Sequence, residues 1–208
     1  MNESNVIITL GRQTGSGGRK IGRKLAEELN IPFYDRELLT RAAKESGLSQ
    51  ALFEGHDEKP TNSFLYSLVM DTYPYGYASS FNGMPIDHKV FLAQFDAIKK
   101  IGSEGACVIV GRCADYALEN NPNLLSVFIY GEMEDKIQRL REEYDVSEAK
   151  AREMILKTDK KRSSYYNYYS NKKWGDAKSY HLCLNSSAFG IEGCVGLIRD
   201  AILRKNNG

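Results

Sequence analysis

The segment Gly11-Arg12-Gln13-Thr14-Gly15-Ser16-Gly17-Gly18-Arg19-Lys20 gathers residue types that suit one chemistry, the binding of phosphate oxygens. Small residues let main-chain N–H groups approach an anion closely, and a helix starting near Arg19 adds the positive end of its dipole. Arg12, Arg19, Lys20, Arg23 and Lys24 fall between Leu10 and Lys24 with no acid among them. An ordinary glycine-rich turn between strand and helix requires neither four glycines nor an acid-free run of cations. A second basic stretch, Lys157 to Lys173, holds six cations and the single acid Asp159. Arg112, directly after Gly111, carries the planar fork that pairs with phosphate oxygens. Two cationic patches on a chain of net charge +1 suit a small polyanion such as a nucleotide.

These residues need a scaffold that brings them together. Val6 to Leu10 is β-branched and apolar, the pattern of a strand buried on both faces. Gly11 to Gly18 is then a turn, and from Arg19 the spacing of Ile21, Leu25, Ala26 and Leu29 predicts an amphipathic helix, ended by Asn30-Ile31-Pro32. Phe33-Tyr34 predicts a very short strand, and Asp35 can cap a helix running to about Ser46. Leu48 to Asp87 is irregular, with Pro60, Pro74, Pro85 and the aromatic run Tyr73-Pro74-Tyr75-Gly76-Tyr77. A helix over Asp87 to Ile101, strands over Cys107–Val110, Leu124–Tyr130 and Tyr180–Leu184, a long polar helical region from Glu134 to about Tyr169, and a final helix from Ile191 to about Arg204 complete the pattern. Strands alternating with amphipathic helices imply an α/β fold with a parallel sheet and helices on both faces, whose ligands bind at the carboxyl ends of the strands. Gly11, Asp35, Gly111 and Gly131 each follow a predicted strand, so they converge on one edge.

Composition narrows the classes. The chain has 208 residues, enough for one domain with an insertion and for a core that needs no disulfide or metal. Cations and acids number 28 and 27, a balance that excludes a general nucleic-acid coat protein. No apolar run reaches the roughly 18 residues of a membrane span, and the polar start Met1 to Asn5 does not have the pattern of a secretory leader. The four cysteines and three histidines show no metal-ligand spacing, so no resident metal site is expected. Cys107, Cys183 and Cys194 sit in apolar patterns and are expected as buried reduced thiols, which suits a cytoplasmic protein. Monomer and homo-oligomer both stay open.

The glycine-rich segment departs from the Walker A pattern G-x-x-x-x-G-K-[ST]. With Gly15-Ser16-Gly17 over the usual Gly-x-Gly, the lysine position falls on Gly18, the first glycine position on Arg12, and cations follow instead of a hydroxyl. Val6 to Leu10, Gly15 to Arg19, Ile31-Pro32-Phe33-Tyr34-Asp35-Arg36-Glu37-Leu38-Leu39, Val108-Ile109-Val110-Gly111-Arg112 and Leu184-Asn185-Ser186-Ser187 together resemble the cytidylate kinase-like family of P-loop nucleoside monophosphate kinases. The resemblance spans nearly the whole chain and is weakest from Leu48 to Asp87.

That resemblance implies a three-layer α/β/α fold on a five-stranded parallel sheet. The core would comprise residues 1–47, 88–156 and 174–208, with a helical acceptor-binding insertion at about 48–87 and a lid at about 157–173. It implies phosphoryl transfer from ATP, entering with Mg2+, to a nucleoside monophosphate. Gly11, Thr14, Gly15, Ser16, Gly17, Gly18, Arg19 and Lys20 would hold the donor phosphates, and Arg12, Arg19 or Lys20 would replace the missing lysine. Asp35 either orients the acceptor or caps its helix. Arg36, with Arg41 as second choice, would reach the acceptor phosphate. Arg112 matches the family's Gly-Arg-Asp segment, although Cys113 stands where the aspartate belongs and Asp115 comes three residues after Arg112, where it either serves the site or pairs with that arginine. Arg162, helped by Lys161 or Lys157, would close from the lid over the phosphates. The four tyrosines Tyr165, Tyr166, Tyr168 and Tyr169 either face the core or, as a minor alternative, stack bases of RNA. A kinase of another small acceptor and a nucleotide-binding sensor without turnover are the rival readings.

Overall fold

In the computed structural model the described residues are 5–58 and 85–206. Five parallel strands, β1 (Ile7–Arg12), β2 (Phe33–Tyr34), β3 (Cys107–Val110), β4 (Leu124–Tyr130) and β5 (Leu182–Asn185), form one sheet in the order β2-β3-β1-β4-β5. Their helices are α1 (Gly18–Leu29), α2 (Glu37–Ser46), α3 (Gln50–His56), α4 (Ile86–Glu104), α5 (Ala114–Ala117), α6 (Met133–Tyr144), α7 (Glu148–Ser170) and α8 (Ser186–Asn206).

The alternation of strand side chains makes two cores. Ile7 and Ile109 point to the face covered by α2 and α4, where Leu38, Ala42, Val90 and Ile98 pack. Ile8, Leu10, Val108 and Val127 point to the face covered by α1 and α8, against Ile21, Leu25, Ile198 and Ile202. Burial on both faces is why β3 reads as an unbroken apolar run and β1 and β4 as apolar runs interrupted within their buried spans only by Thr9 and Ser126. Each fully buried Leu or Ile contributes roughly 1.5–3 kcal/mol, so the sheet is a rigid platform for whatever leaves its carboxyl edge.

Several boundaries differ from the sequence expectation. β1 runs two residues further, so Gly11 and Arg12 pair with Phe128 and Ile129 of β4 and the turn proper is shorter. The long polar region is two helices: Asp145 turns left-handed (φ 50) and ends α6, and the Ser147 hydroxyl accepts from the Lys150 N–H to start α7. β5 begins at Leu182, because a 3-10 turn over Ala177–Ser179 occupies the residues before Tyr180. The last helix is interrupted at Gly190 (φ 65, ψ 179), so its regular part starts at Ile191, where the periodicity begins. Of the expected insertion, α3 is described, while Pro60, Tyr73, Pro74, Tyr75 and Tyr77 lie outside the described residues. Cys107 and Cys194 are buried free thiols as expected, but Cys183 is only half-buried, and Cys113 is buried as well.

Candidate active site

The loops that follow β1 and β3 leave the carboxyl edge side by side. The first follows β1. Gln13 N–H donates to the Ile129 carbonyl at 2.9 Å, and the Ser16 hydroxyl donates to the Gln13 carbonyl at 2.8 Å, which curls the loop under the start of α1. Gly15 has φ 76, and a Cβ there would come within 2.7 Å of the Lys136 carbonyl oxygen, so both conformation and space demand glycine. The first turn of α1 carries no acid, which leaves its dipole uncompensated toward the loop.

The second loop follows β3 and is strained. Gly111, Arg112 and Cys113 are consecutive left-handed residues with φ of 76°, 54° and 54°. Each non-glycine residue in that region costs roughly 1–2 kcal/mol. Arg112 offsets this cost through its partners. Its Nη1 donates to Asp35 Oδ1 at 2.6 Å and to the Val110 carbonyl at 3.0 Å. Its Nε and Nη2 grip both oxygens of Asp57 at 3.2 and 2.9 Å. The side chain is 4% exposed. Burial opposes its charge, but Asp57, Glu58 and Asp35 overcome this and hold the guanidinium above its usual range. Burial likewise opposes the Asp35 charge, yet Arg112, Arg12 and Arg19 keep that carboxyl below the usual carboxylate range.

Arg12 and Arg162 meet on Glu58. Arg12 Nη1 lies 3.2 Å from Oε1, and Arg162 Nε lies 3.3 Å from Oε2. A Cβ at Gly111 would overlap the Arg12 guanidinium, so this glycine is what lets Arg12 cross the edge. Burial and the neighbouring Arg162 lower the Arg12 guanidinium to about 10. Glu58 is held well below the carboxylate range: burial opposes its charge, and Arg12, Arg162 and Arg112 more than reverse that. Arg162 also donates to the Thr14 hydroxyl at 3.1 Å. Behind these groups lies a cavity of about 20 Å3 lined by Thr9, Glu58, Arg112, Asp115, Arg162 and Tyr180, room for one water molecule. The Thr9 hydroxyl is buried there without a hydrogen-bond partner.

The structure sorts the sequence candidates. Arg12, Thr14, Asp35, Arg112 and Arg162 converge. Arg19 stands at the rim, with Nε 2.6 Å from Asp35 Oδ2 and a half-exposed side chain. Lys161 donates to the Asp57 carbonyl at 2.7 Å. Lys20 and Arg36 are exposed and are not joined to the cluster by any described ion pair. Asp35 does not cap α2: the cap position is Arg36, whose side chain makes no capping hydrogen bond, and the Asp35 N–H donates to Glu37 Oε2 at 3.2 Å. Arg41 turns away, bound to Glu45 at 3.0 Å and to both oxygens of Glu104, which lies at the far end of α4 near the amino end of β3. Asp115 does not pair with Arg112. It accepts from the Tyr166 hydroxyl at 2.6 Å, and burial raises its carboxyl. Tyr165, Tyr166 and Tyr169 are buried among Phe91, Phe128 and Tyr180, so the core-facing alternative holds and they offer no platform for bases.

Four participants escaped sequence reasoning. Asp57 and Glu58 sit in the stretch whose pattern was irregular. Asp159 looked like the odd acid in a basic run, yet its Oδ1 accepts from the Thr14 N–H at 2.7 Å. Lys136 is buried beside the loop, its Nζ 2.9 Å from Gln13 Oε1. Among the described residues no group of three or more His, Cys, Asp or Glu could hold a metal ion.

Comparison with known proteins identifies the family and the fold. The sequence profile of the cytidylate kinase-like family matches residues 7–188. A cytidylate kinase of Methanococcus aeolicus is 26% identical over 206 residues, covering 97% of this chain and 99% of the relative. One from Methanococcus vannielii is 23% identical, covering 95% and 99%. Among solved structures, an uncharacterized protein from Eubacterium ventriosum is 31% identical with a TM-score of 0.70, covering 95% of this chain and 98% of that one. A shikimate kinase from Bacteroides thetaiotaomicron is similar in fold alone, at 16% identity and a TM-score of 0.53, covering 95% and 98%. The profile match runs through the glycine loop, the Gly111-Arg112 turn and the whole of α7, on the five-stranded parallel fold of P-loop kinases: the chain belongs to the cytidylate kinase-like family.

Proposed function

We propose that the chain transfers the γ-phosphoryl group of ATP to a nucleoside monophosphate, with CMP as the acceptor that the names of its relatives suggest. The observation that carries this reading is the meeting of Arg12, Arg112 and Arg162 on carboxylates at the mouth of the glycine loop. A carboxylate presents paired oxygens to a guanidinium much as a phosphate does, so forks shaped around Asp57 and Glu58 suit phosphate oxygens. Phosphoryl transfer asks a protein mainly to align two anions and neutralise their charge.

When bound, ATP supplies the phosphoryl group and Mg2+ part of the countercharge. Mg2+ prefers oxygen ligands and keeps several waters, so phosphates and water suffice to carry it in. The amides of Gly15 to Gly18 cradle the donor phosphates. Arg12 and Arg162 neutralise the transferred group, and Arg112, steadied by Asp35, holds the acceptor phosphate. Arg36, exposed directly after Asp35, is the candidate for the acceptor phosphate at the rim. A space of about 20 Å3 admits no nucleoside, so Asp57 and Glu58 withdraw when substrates enter. The acceptor lobe is then about 48–87, and the cationic part of α7 acts as the cover.

ADP formation measured across a panel of nucleoside monophosphates and other phosphorylatable metabolites tests this. Turnover is expected with CMP or a close analogue. Turnover confined to acceptors outside the nucleotides would move the reading to another small-molecule kinase, and saturable ATP binding without turnover would leave a sensor. Arg112→Ala should raise the acceptor KM about 10- to 100-fold, the worth of a charge-assisted pair.

A further inference from the structure

We propose that Lys136, on α6, supplies the ammonium that the glycine loop lacks, in a phosphate pocket completed by Thr14 and Arg162 and filled in this structure by the Asp159 carboxylate. The inference rests on the donor-phosphate reading of the loop given above.

A lysine is almost never fully buried without compensation. Lys136 is 4% exposed, yet its hydrogen bond goes to a neutral acceptor, Gln13 Oε1 at 2.9 Å, which also takes the Gly131 N–H at 3.3 Å. That bond uses one of the three ammonium protons. Such a charge beside an anion-binding loop is what a triphosphate would compensate. Its place is set by the fold. α6 leaves β4 on the same edge, and its Lys136 turn is packed so closely on the loop that a Cβ at Gly15 would meet the Lys136 carbonyl at 2.7 Å and its Cβ at 3.0 Å. Arg139 Nη1 donates to the Gly15 carbonyl at 3.1 Å and fastens the same helix to the same loop.

The second observation is the occupant. Asp159 Oδ1 accepts from the Thr14 N–H at 2.7 Å, and the Thr14 hydroxyl is held by Arg162 at 3.1 Å. The charges of Arg162 and Lys136 both favour the Asp159 carboxylate. A loop amide thus holds this anion directly, and a guanidinium and an ammonium act on it by charge from nearby. Burial nevertheless raises the Asp159 carboxyl above its usual range. A phosphate, with more charge and three oxygens, is the better occupant and displaces it.

The two charges make opposite predictions for Mg-ATP binding, measured by calorimetric titration of the full chain with a thermal melt of each variant. Lys136→Gln should weaken binding about 10- to 100-fold, and Lys136→Arg should restore part of it. Asp159→Asn keeps an oxygen for the Thr14 N–H but removes the competing charge, and should tighten binding several-fold. Wild-type affinity in a folded Lys136→Gln chain, or weaker binding by Asp159→Asn, overturns the assignment while leaving the donor loop intact. If Lys136→Gln does not fold, Asp159→Asn decides alone, and unchanged affinity there also overturns it. No saturable binding of Mg-ATP to the wild-type chain overturns the donor-loop reading and this assignment with it.

Discussion

The two ends of α7 are made of opposite materials. Toward its start, Ala151 and Ile155 pack on Ile137 and Leu140 of α6, and the following turns carry Asp159, Lys161 and Arg162 to the glycine loop. Toward its end, Tyr165, Tyr166 and Tyr169 sink into an aromatic cluster, with Tyr169 stacked on Phe91 at 3.9 Å between centroids. One end is tied to the glycine loop through charge, and the other fixes the helix through burial. The stretch 157–173, which the resemblance marks as a lid, therefore contains its own anchor. Pulling Tyr169 out of the core would cost roughly 3–5 kcal/mol by analogy with large aromatic truncations. Any movement of Arg162 and Asp159 as a lid, under the proposed function, would have to leave the tyrosines in place.

That contrast is open to attack at both ends. The largest effect should come from the aromatic end: Tyr169→Ala should destabilise the fold by about 3–5 kcal/mol in urea unfolding. A loss below about 1 kcal/mol would remove the anchor. Arg162→Ala should lower kcat about 100-fold, the scale of one lost charge-stabilising donor, while the melting temperature stays near that of the wild type. Equal losses of stability and rate would erase the division between the two ends. Gly15→Ala, at the loop that the charged end covers, should cost about 1–2 kcal/mol for φ 76 and further weaken ATP binding through the clash with the Lys136 carbonyl.

Acid should loosen the charged end first. Asp35 and Glu58 are held below the usual carboxylate range, so their contribution is complete at neutral pH. It is lost as pH falls from about 4 through their lowered values. Asp35→Asn should accordingly lose less stability than the wild type between about pH 6 and pH 3 in thermal melts. The smallest effect belongs to Arg41, whose partners lie away from the cluster: Arg41→Ala should cost under about 1 kcal/mol and leave turnover unchanged. A large loss of turnover would return Arg41 to the site.

Much of the frame was legible because its signals are local. β2, β3 and β4 begin and end where their mainly apolar runs do, since a strand buried on both faces draws most of its residues from the apolar set, with Ser126 the one buried exception within β4. The glycine loop was legible because left-handed backbone at Gly15 and Gly17 leaves few other residues possible. What escaped was pairing across distance. Nothing near Asp115 announces that its partner is Tyr166 and not Arg112, for that depends on how α7 docks. Asp57 and Glu58 follow a short helix with no recognisable pattern, and only their meeting with Arg112, Arg12 and Arg162 reveals them. Lys136 looks like any lysine on a charged helix until its turn is seen resting on Gly15.

Residue order by itself determined the parallel sheet, the glycine-rich loop after its first strand and the placing of the basic residues that flank it, because periodicity and backbone freedom are properties of neighbours. Only the folded chain decided which cation faces which anion. Burial and charge pairing act between residues more than a hundred positions apart, as Thr14 and Asp159 do, and no local pattern encodes that distance.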